Sequence, residues 1–308
     1  MDERAVTSAD APAVAELLKA CDIAVLGRWD FTMVELEADL RNDDQHHIGW
    51  YDDRDLVAYG WAGEGGQSSK VHLDAYVHPD VTDPAVGVQL LQRLEEIGLG
   101  LVAERGHDHA LIDIGVYRQD ERTQGWLRDR GFTIGTTFTR MRIDVPDPVV
   151  VPDPPPGVVV RRTSGQEADL RIAHALLQDA FSEHYGHLPE TFEEWRKKWD
   201  EHGDNWSELW LADVDGVPAG ALIGNAQFVE DDNAGYVRTI GVLSAGRGRG
   251  VAKQLLYTYF AASQEAGREA VLLHVDVANV TNALALYESV GMRSILQIDA
   301  WAKRSPIL

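Results

Sequence analysis

Thr239-Ile240-Gly241-Val242-Leu243-Ser244-Ala245-Gly246-Arg247-Gly248-Arg249-Gly250-Val251-Ala252 runs directly into Lys253-Gln254-Leu255-Leu256. An apolar strand enters a glycine-dense turn, and the turn opens a helix. Glycines let the backbone curl without Cβ clashes, so successive N–H groups can converge on one anion. The helix start adds unpaired amides and the positive end of its dipole to the same point. Arg247 and Arg249 place charge beside it. The stretch reads as a phosphate cradle. It does not spell a Walker loop, and Gly246, Gly248 and Gly250 alternate where a dinucleotide fingerprint needs Gly-x-Gly-x-x-Gly.

A second segment lies downstream. Glu269 to Asp276 reads as a strand, and Ala283, Leu284, Leu286, Tyr287 and Val290 recur at helical spacing before Gly291. Arg247-x-x-Gly250-x-Ala252 matches the Gln/Arg-x-x-Gly-x-Gly/Ala signature of the GCN5-related N-acetyltransferases, the GNAT superfamily. Asn279, Asn282-Ala283, Tyr287 and Gly291-Met292 follow that family's Asn…Ala…Tyr…Gly-Phe order, with Met for Phe. The chain therefore resembles this superfamily through its whole C-terminal half.

The resemblance implies a fold and a chemistry. The fold class is α/β (α+β): two tandem GNAT-like domains, each a mixed, mostly antiparallel sheet flanked by helices. Acetyl-CoA is the implied co-substrate, with no metal. Backbone groups of Ile240 and Val242, flanking Gly241, would pair with the pantetheine arm. Amides of Arg247, Gly248, Arg249, Gly250, Val251 and Ala252 would hold the diphosphate, with Asn279 and Asn282 also at the cofactor. Tyr287 would protonate the leaving thiolate, while a backbone N–H near Val242 would meet the carbonyl oxygen. The implied activity is N-acetyl transfer to a primary amine of a small-molecule acceptor; the alternative is a non-catalytic acetyl-CoA sensor.

Composition narrows the partners. The chain has 308 residues, a formal charge of −22 and one cysteine, Cys21. An acidic chain argues against nucleic acid. A single cysteine allows neither an internal disulfide nor a cysteine-based metal site. No apolar run approaches a membrane span, and Met1-Asp2-Glu3-Arg4 does not open as a signal peptide, so a cytoplasmic location is expected.

The proline-rich run 146–157 divides the chain into 1–145 and 158–308 and is expected to be a semi-extended linker. Leu209–Gly224 reads as a hairpin turning at Asp215-Gly216. Laid without gaps on the second half, the first sets Gln89-Leu90-Leu91 on Gln254-Leu255-Leu256. Asp83 and Pro84 then fall on Gly248 and Arg249. A carboxylate and a missing amide are wrong for a diphosphate. The first half is expected to be a degenerate copy of the second. Its Gly131-Phe132 falls on Gly291-Met292, with Leu127 opposite Tyr287.

Tyr236 and Arg238 share one face of the first cradle strand, and His274 and Asp276 one face of the next, so Tyr236, Arg238 and His274 are candidates to face the acceptor. Arg238 there suits an acceptor with its own carboxylate or phosphate. The resemblance extends to the tandem, mycothiol synthase-like type, which carries an acidic residue on that strand face. Trp195, Trp199, Trp206 and Trp210 could wall an acceptor pocket. His46-His47 and His184/His187 lack a matching ligand pattern, so no metal site is assigned.

Overall fold

The computed structural model describes every residue except 64–65, 183–188, 202–205, 278–282 and 308. Its contacts divide the chain into two units, 1–138 with 297–308, and 139–296.

The first unit holds β1 (Asp2–Ala5), α1 (Ala11–Leu26), α2 (Met33–Asp39), β2 (Gln45–Asp52), β3 (Asp55–Gly63), β4 (Lys70–Val77), α3 (Pro84–Glu104), β5 (His109–Tyr117) and α4 (Glu121–Asp129). It also takes the first half of β6 (Thr133–Asp144). Strands β1 to β4 pair antiparallel in sequence order, and β4 runs parallel to β5. In β4, Val71, Leu73, Ala75 and Val77 alternate inward, as a sheet with one covered face requires. They pack on Leu90, Leu91 and Leu94 of α3, each fully buried. Burying such a side chain stabilises by about 1.5–3 kcal/mol.

The second unit holds the rest of β6, β7 (Val158–Arg162), α5 (Glu167–Ala180), α6 (Phe192–Glu201), β8 (Leu209–Val214), β9 (Val217–Asn225), α7 (Val229–Asp232), β10 (Ala234–Val242), α8 (Val251–Glu265), β11 (Ala270–Asp276) and α9 (Ala283–Glu288). Its strand order is β6-β11-β10-β9-β8-β7. Pairing is antiparallel from β7 to β10 and parallel between β10 and β11. Each unit is thus a mixed, mostly antiparallel sheet with helices, as expected. The β8–β9 hairpin turns at Asp215 and Gly216, both at positive φ, which a two-residue turn of this hand demands.

Two expectations about organisation change. The units do not part at the proline-rich run. The chain changes unit inside β6, between Phe138 and Thr139, and again inside β12 (Arg293–Pro306), between Leu296 and Gln297. The last residues are therefore strand partners of β5, with Ile298 opposite Tyr117 and Pro306 opposite His109. There Asp299, buried, accepts from Arg118 and from Thr137 Oγ1 at 2.7 Å, and Lys303 reaches Glu95 Oε2 at 2.6 Å. The proline run, in turn, is tied to the second unit. Gln254 donates to the Pro152 carbonyl at 3.2 Å, Arg249 to that of Pro156 at 3.1 Å, and Val149 N–H to Gln264 Oε1 at 3.0 Å. Prolines have no N–H to pair a run's carbonyls, so Gln254 and Arg249 donate to two of them while Gln264 accepts from Val149.

The stretch of the first unit that aligns with the cradle is filled from within. Asp83 caps α3 by accepting from Ala85 N–H at 2.9 Å, and Pro84 takes the first helical position. In the register that matches Leu90-Leu91 with Leu255-Leu256, α3 begins two residues earlier than α8. Glycines at positive φ hold that same stretch of the second unit out of the helix. Trp126 from α4 lies on Gly87, where an added Cβ would come within 2.2 Å of the indole. Arg122 binds the carbonyls of Val77, His78 and Val81. Gly87→Ala should therefore destabilise the protein by about 1–3 kcal/mol through overpacking. Gly100→Ala, in the same helix with open space around it, should stabilise by about 0.5–1 kcal/mol. Urea unfolding of the two variants checks the contrast.

Candidate functional site

Strands β10 and β11 pair only from Ala234–Ala270 to Val237–Leu273. Beyond that point they separate, leaving a cleft of about 720 Å³ between them. β10 remains bonded to β9 on its other side, with a register break between Val237 and Thr239 at Arg238. Leu243 N–H bonds to the Ala219 carbonyl. By the two-residue alternation of a strand, the backbone groups of Ile240 and Val242 then face the opened edge. These are the groups the sequence selects for an extended ligand. Gly241 faces the other way, and an added Cβ there would come within 3.0 Å of Leu177 on α5.

The cradle closes one end. Gly248 and Gly250 sit at φ of 73° and 80°. Among the described residues, the amides of Gly248, Arg249 and Gly250 donate to nothing, and no side chain caps α8. Asp83 occupies that role in the first unit. The second unit therefore exposes a run of N–H groups at a helix start, a geometry suited to an anion. A Cβ on Gly250 would approach Pro155 to 2.8 Å, so the strapped proline run holds this turn tight. Gly246, Arg247, Gly248, Gly250, Val251, Ala252 and Lys253 all line the cleft.

Arg249 does not. Its guanidinium turns to the Pro156 carbonyl and to Asp215 Oδ2 at 3.3 Å. The expected second cation of the cradle is instead Lys253, one helical turn on, which lines the cleft and which the sequence reading passed over. Arg247 lines the cleft while its Nε lies 3.4 Å from the Val242 carbonyl.

Tyr287 enters from α9, buried except for 7% of its surface, beside Ala283 and Leu286. Burial pushes its phenol up to about 12, so it keeps its proton at neutral pH. Asn279 and Asn282 lie outside the described residues.

Of the acceptor candidates, Arg238 and His274 line the cleft and Tyr236 does not. Arg238 lies over the Trp199 ring, 4.6 Å from its centre. His274 Nδ1 is 2.9 Å from Tyr236 Oη, and its Nε2 accepts from Arg140 Nε at 3.0 Å. Burial, and then the nearby Arg140 charge, push His274 down to about 3. A neutral imidazole whose lone pair is already engaged is a poor base. The tryptophans are core, not pocket wall. Trp195, Trp199 and Trp206 pack on one another with tilted rings in a buried cluster with Leu170 and Leu209. Trp210 packs edge-on against Tyr259. His47 is buried and bonded to Tyr59 and the Asp39 carbonyl, and His184 and His187 lie outside the described residues. No helix among the described residues is long and apolar enough to cross a membrane.

The glycine turn is directly testable. Gly248→Ala, which meets only the backbone penalty of a left-handed residue, should cost about 1–2 kcal/mol. Gly250→Ala should cost more, because its methyl also meets Pro155. Thermal unfolding of both variants measures the difference.

Comparison with known proteins places this geometry. Residues 171–292 match the acetyltransferase (GNAT) family. The mycothiol acetyltransferase of Thermobispora bispora is 32% identical over 168 residues, 52% of this chain and 55% of that protein. The chain thus spans about half the length of the curated relative it matches. A GCN5-related N-acetyltransferase from Sphaerobacter thermophilus has the same fold, with a TM-score of 0.85 over 99% of this chain and 95% of that one at 24% identity. A tandem GNAT protein from the clavulanic acid biosynthesis pathway gives 0.73 over 98% of both at 14% identity. The β10–β11 cleft, its glycine cradle and Tyr287 all fall within residues 171–292, the segment that matches the GNAT family, in a chain with the fold of these solved GNAT structures.

Proposed function

We propose that the protein is an acetyl-CoA-dependent N-acetyltransferase that acylates a primary amine of a small-molecule acceptor by direct attack on the thioester. The observation that carries this reading is that an anion cradle, an open strand edge and a buried, protonated tyrosine all line one cleft. The cradle fits the co-substrate's diphosphate, since its amides converge at an uncapped helix start with Arg247 and Lys253 beside them. Acetyl-CoA supplies the activated acyl group; the chain supplies the rest. Ile240 and Val242 hold the arm in register along β10. A backbone N–H near Val242, on the opened edge of β10, suits a donor to the acyl carbonyl oxygen. Tyr287 holds a proton at Oη for the departing sulfur.

The second unit carries this activity, and the first, with Asp83, Pro84, Arg122 and Trp126 filling its equivalent place, carries none. The acceptor takes its orientation from Arg238, which suits a carboxylate or phosphate near the amine. One relative is a mycothiol acetyltransferase, so a mycothiol-type acceptor is the first to assay.

Titration calorimetry with acetyl-CoA should give one site per chain, weakened at least tenfold by Arg247→Glu. Two sites would end the assignment of a silent first unit, and no binding would end the enzyme reading. Tyr287→Phe should keep the binding and lower the rate of thiol release by about 10²-fold or more. Binding with no turnover against a panel of amines would instead mark an acetyl-CoA sensor. An Arg238→Ala variant that kept its affinity for every anionic acceptor would remove Arg238 from the recognition.

A further inference from the structure

His274 stands at the fork of the cleft, opposite the last paired residues of β10 and β11, where an incoming amine would meet the acyl group. A histidine there invites assignment as the general base, but its two hydrogen bonds argue otherwise. Arg140 Nε is a donor only and always charged, so His274 Nε2 must accept. The ring is then the Nδ1–H tautomer, and Nδ1 must donate to Tyr236 Oη. The three groups form a chain of donors with one direction: guanidinium to imidazole, imidazole to phenol. Arg140 is itself buried, with its guanidinium over the Phe228 ring at 5.1 Å, so it is held in place. Tyr236 packs edge-on against both Phe228 and His274.

We infer that Arg140 is a positioning residue for acetyl transfer, locking His274 as a neutral Nδ1–H donor to Tyr236 so that the imidazole cannot take the amine's proton. The inference rests on the acetyltransferase reading for its role, but the lock itself is independent of turnover. The imidazole is bonded to Arg140 from β6 and Tyr236 from β10; Arg238 from β10, Asp276 on its own strand and Tyr287 from α9 line the same cleft, and Arg142 lies two residues along β6 from Arg140. Arg142 is paired with Asp144, and with Asp232 of α7. Burial and the Arg140 charge both act against a proton on His274, in keeping with the geometry. Protonation would break the Arg140 bond and set two cations face to face in a site shielded from water. The amine's proton must therefore leave to another acceptor or to solvent, and the pH dependence of the reaction follows the amine rather than a histidine.

Arg140 precedes the proline-rich run, so a segment cut at residue 158 would lack it. The contact spans 134 positions of sequence, and the matched family segment begins only at residue 171. The lock is thus a feature of the whole chain that neither linear half contains.

The test uses the full chain labelled with ¹⁵N in its histidine rings, with His274→Gln identifying the resonance. The wild-type ring should show the Nδ1–H tautomer and no titration between pH 8 and 5. Arg140→Met should release the tautomer and move the titration upward; Arg140→Lys, which restores a charged donor, should return the wild-type pattern. Should Arg140→Met fail to fold, Arg140→Gln keeps an N–H without the charge and should hold the tautomer while the titration still moves up. In steady-state assays Arg140→Met should add a histidine ionisation to the pH profile of kcat/KM with the KM for acetyl-CoA within twofold, because Arg140 does not line the cradle, and Arg140→Lys should return the wild-type profile. A wild-type His274 that is Nε2–H, or that titrates within this range, overturns the inference even if the protein acetylates amines. Absent turnover with a locked His274 would overturn the acetyltransferase reading alone.

Discussion

Two parallel strands that part in mid-course leave backbone N–H and C=O groups unpaired along both inner edges, and an exposed edge of that kind must be satisfied by something. In the second unit β10 and β11 part after Val237 and Leu273. The features of the site follow from that separation. The cleft exists because the ladder stops; Ile240 and Val242 are available because β9 takes only alternate groups of β10; and His274 reaches the cleft because it is the first residue past the fork. The separation is held open by packing on its far sides. Gly241 lets α5 approach through Leu177 and Ala180, and Tyr259 from α8 lies where Cβ atoms on Gly224 or Gly235 would otherwise be. Its hydroxyl bonds Glu208, which is ion-paired with Arg268.

The first unit has the same fork, since β4 and β5 pair only from Lys70–Leu111 to Leu73–Ile114. Its solution is internal. Arg122 collects the loop carbonyls after β4, Gln124 takes those of Tyr117 and Arg118, and Trp126 covers the start of α3. The same backbone deficit is thus met in one unit by the protein's own side chains, while in the other it borders an open cleft. That contrast, more than a missing glycine motif, distinguishes the two.

Local chemistry was legible in the sequence and long-range partnership was not. The cradle could be read because glycine alternation and a helix start are properties of neighbouring residues; helical spacing placed Tyr287 on an amphipathic face, but its role came from the family resemblance. Arg249 has the same local credentials as Arg247, yet Asp215 and the Pro156 carbonyl, distant in sequence, turn it away. Four tryptophans near polar helices could have walled a pocket; the packing of Trp195, Trp199 and Trp206 on one another and of Trp210 on Tyr259, which no spacing reveals, makes them core. Arg140 sits in an alternating strand with nothing to mark it, and only the fold brings it to His274. The proline run was legible as irregular chain, but not as a strap, because its donors, Arg249 and Gln254, are distant in sequence.

The division of β12 between units has a consequence for synthesis. Phe138 and Gln297 are separated by residues 139–296, 158 positions that make up the other unit. At about 5–20 residues per second, roughly 10–30 s pass between them on the ribosome. During that time Arg118 has no Asp299, Glu95 has no Lys303, and the outer edge of β5 is bare. The unit that begins first is finished last. The continuous unit bearing the cleft can close while its neighbour waits for a closing strand, which reverses the usual N-to-C order and makes the open edge of β5 the place for a chaperone to guard.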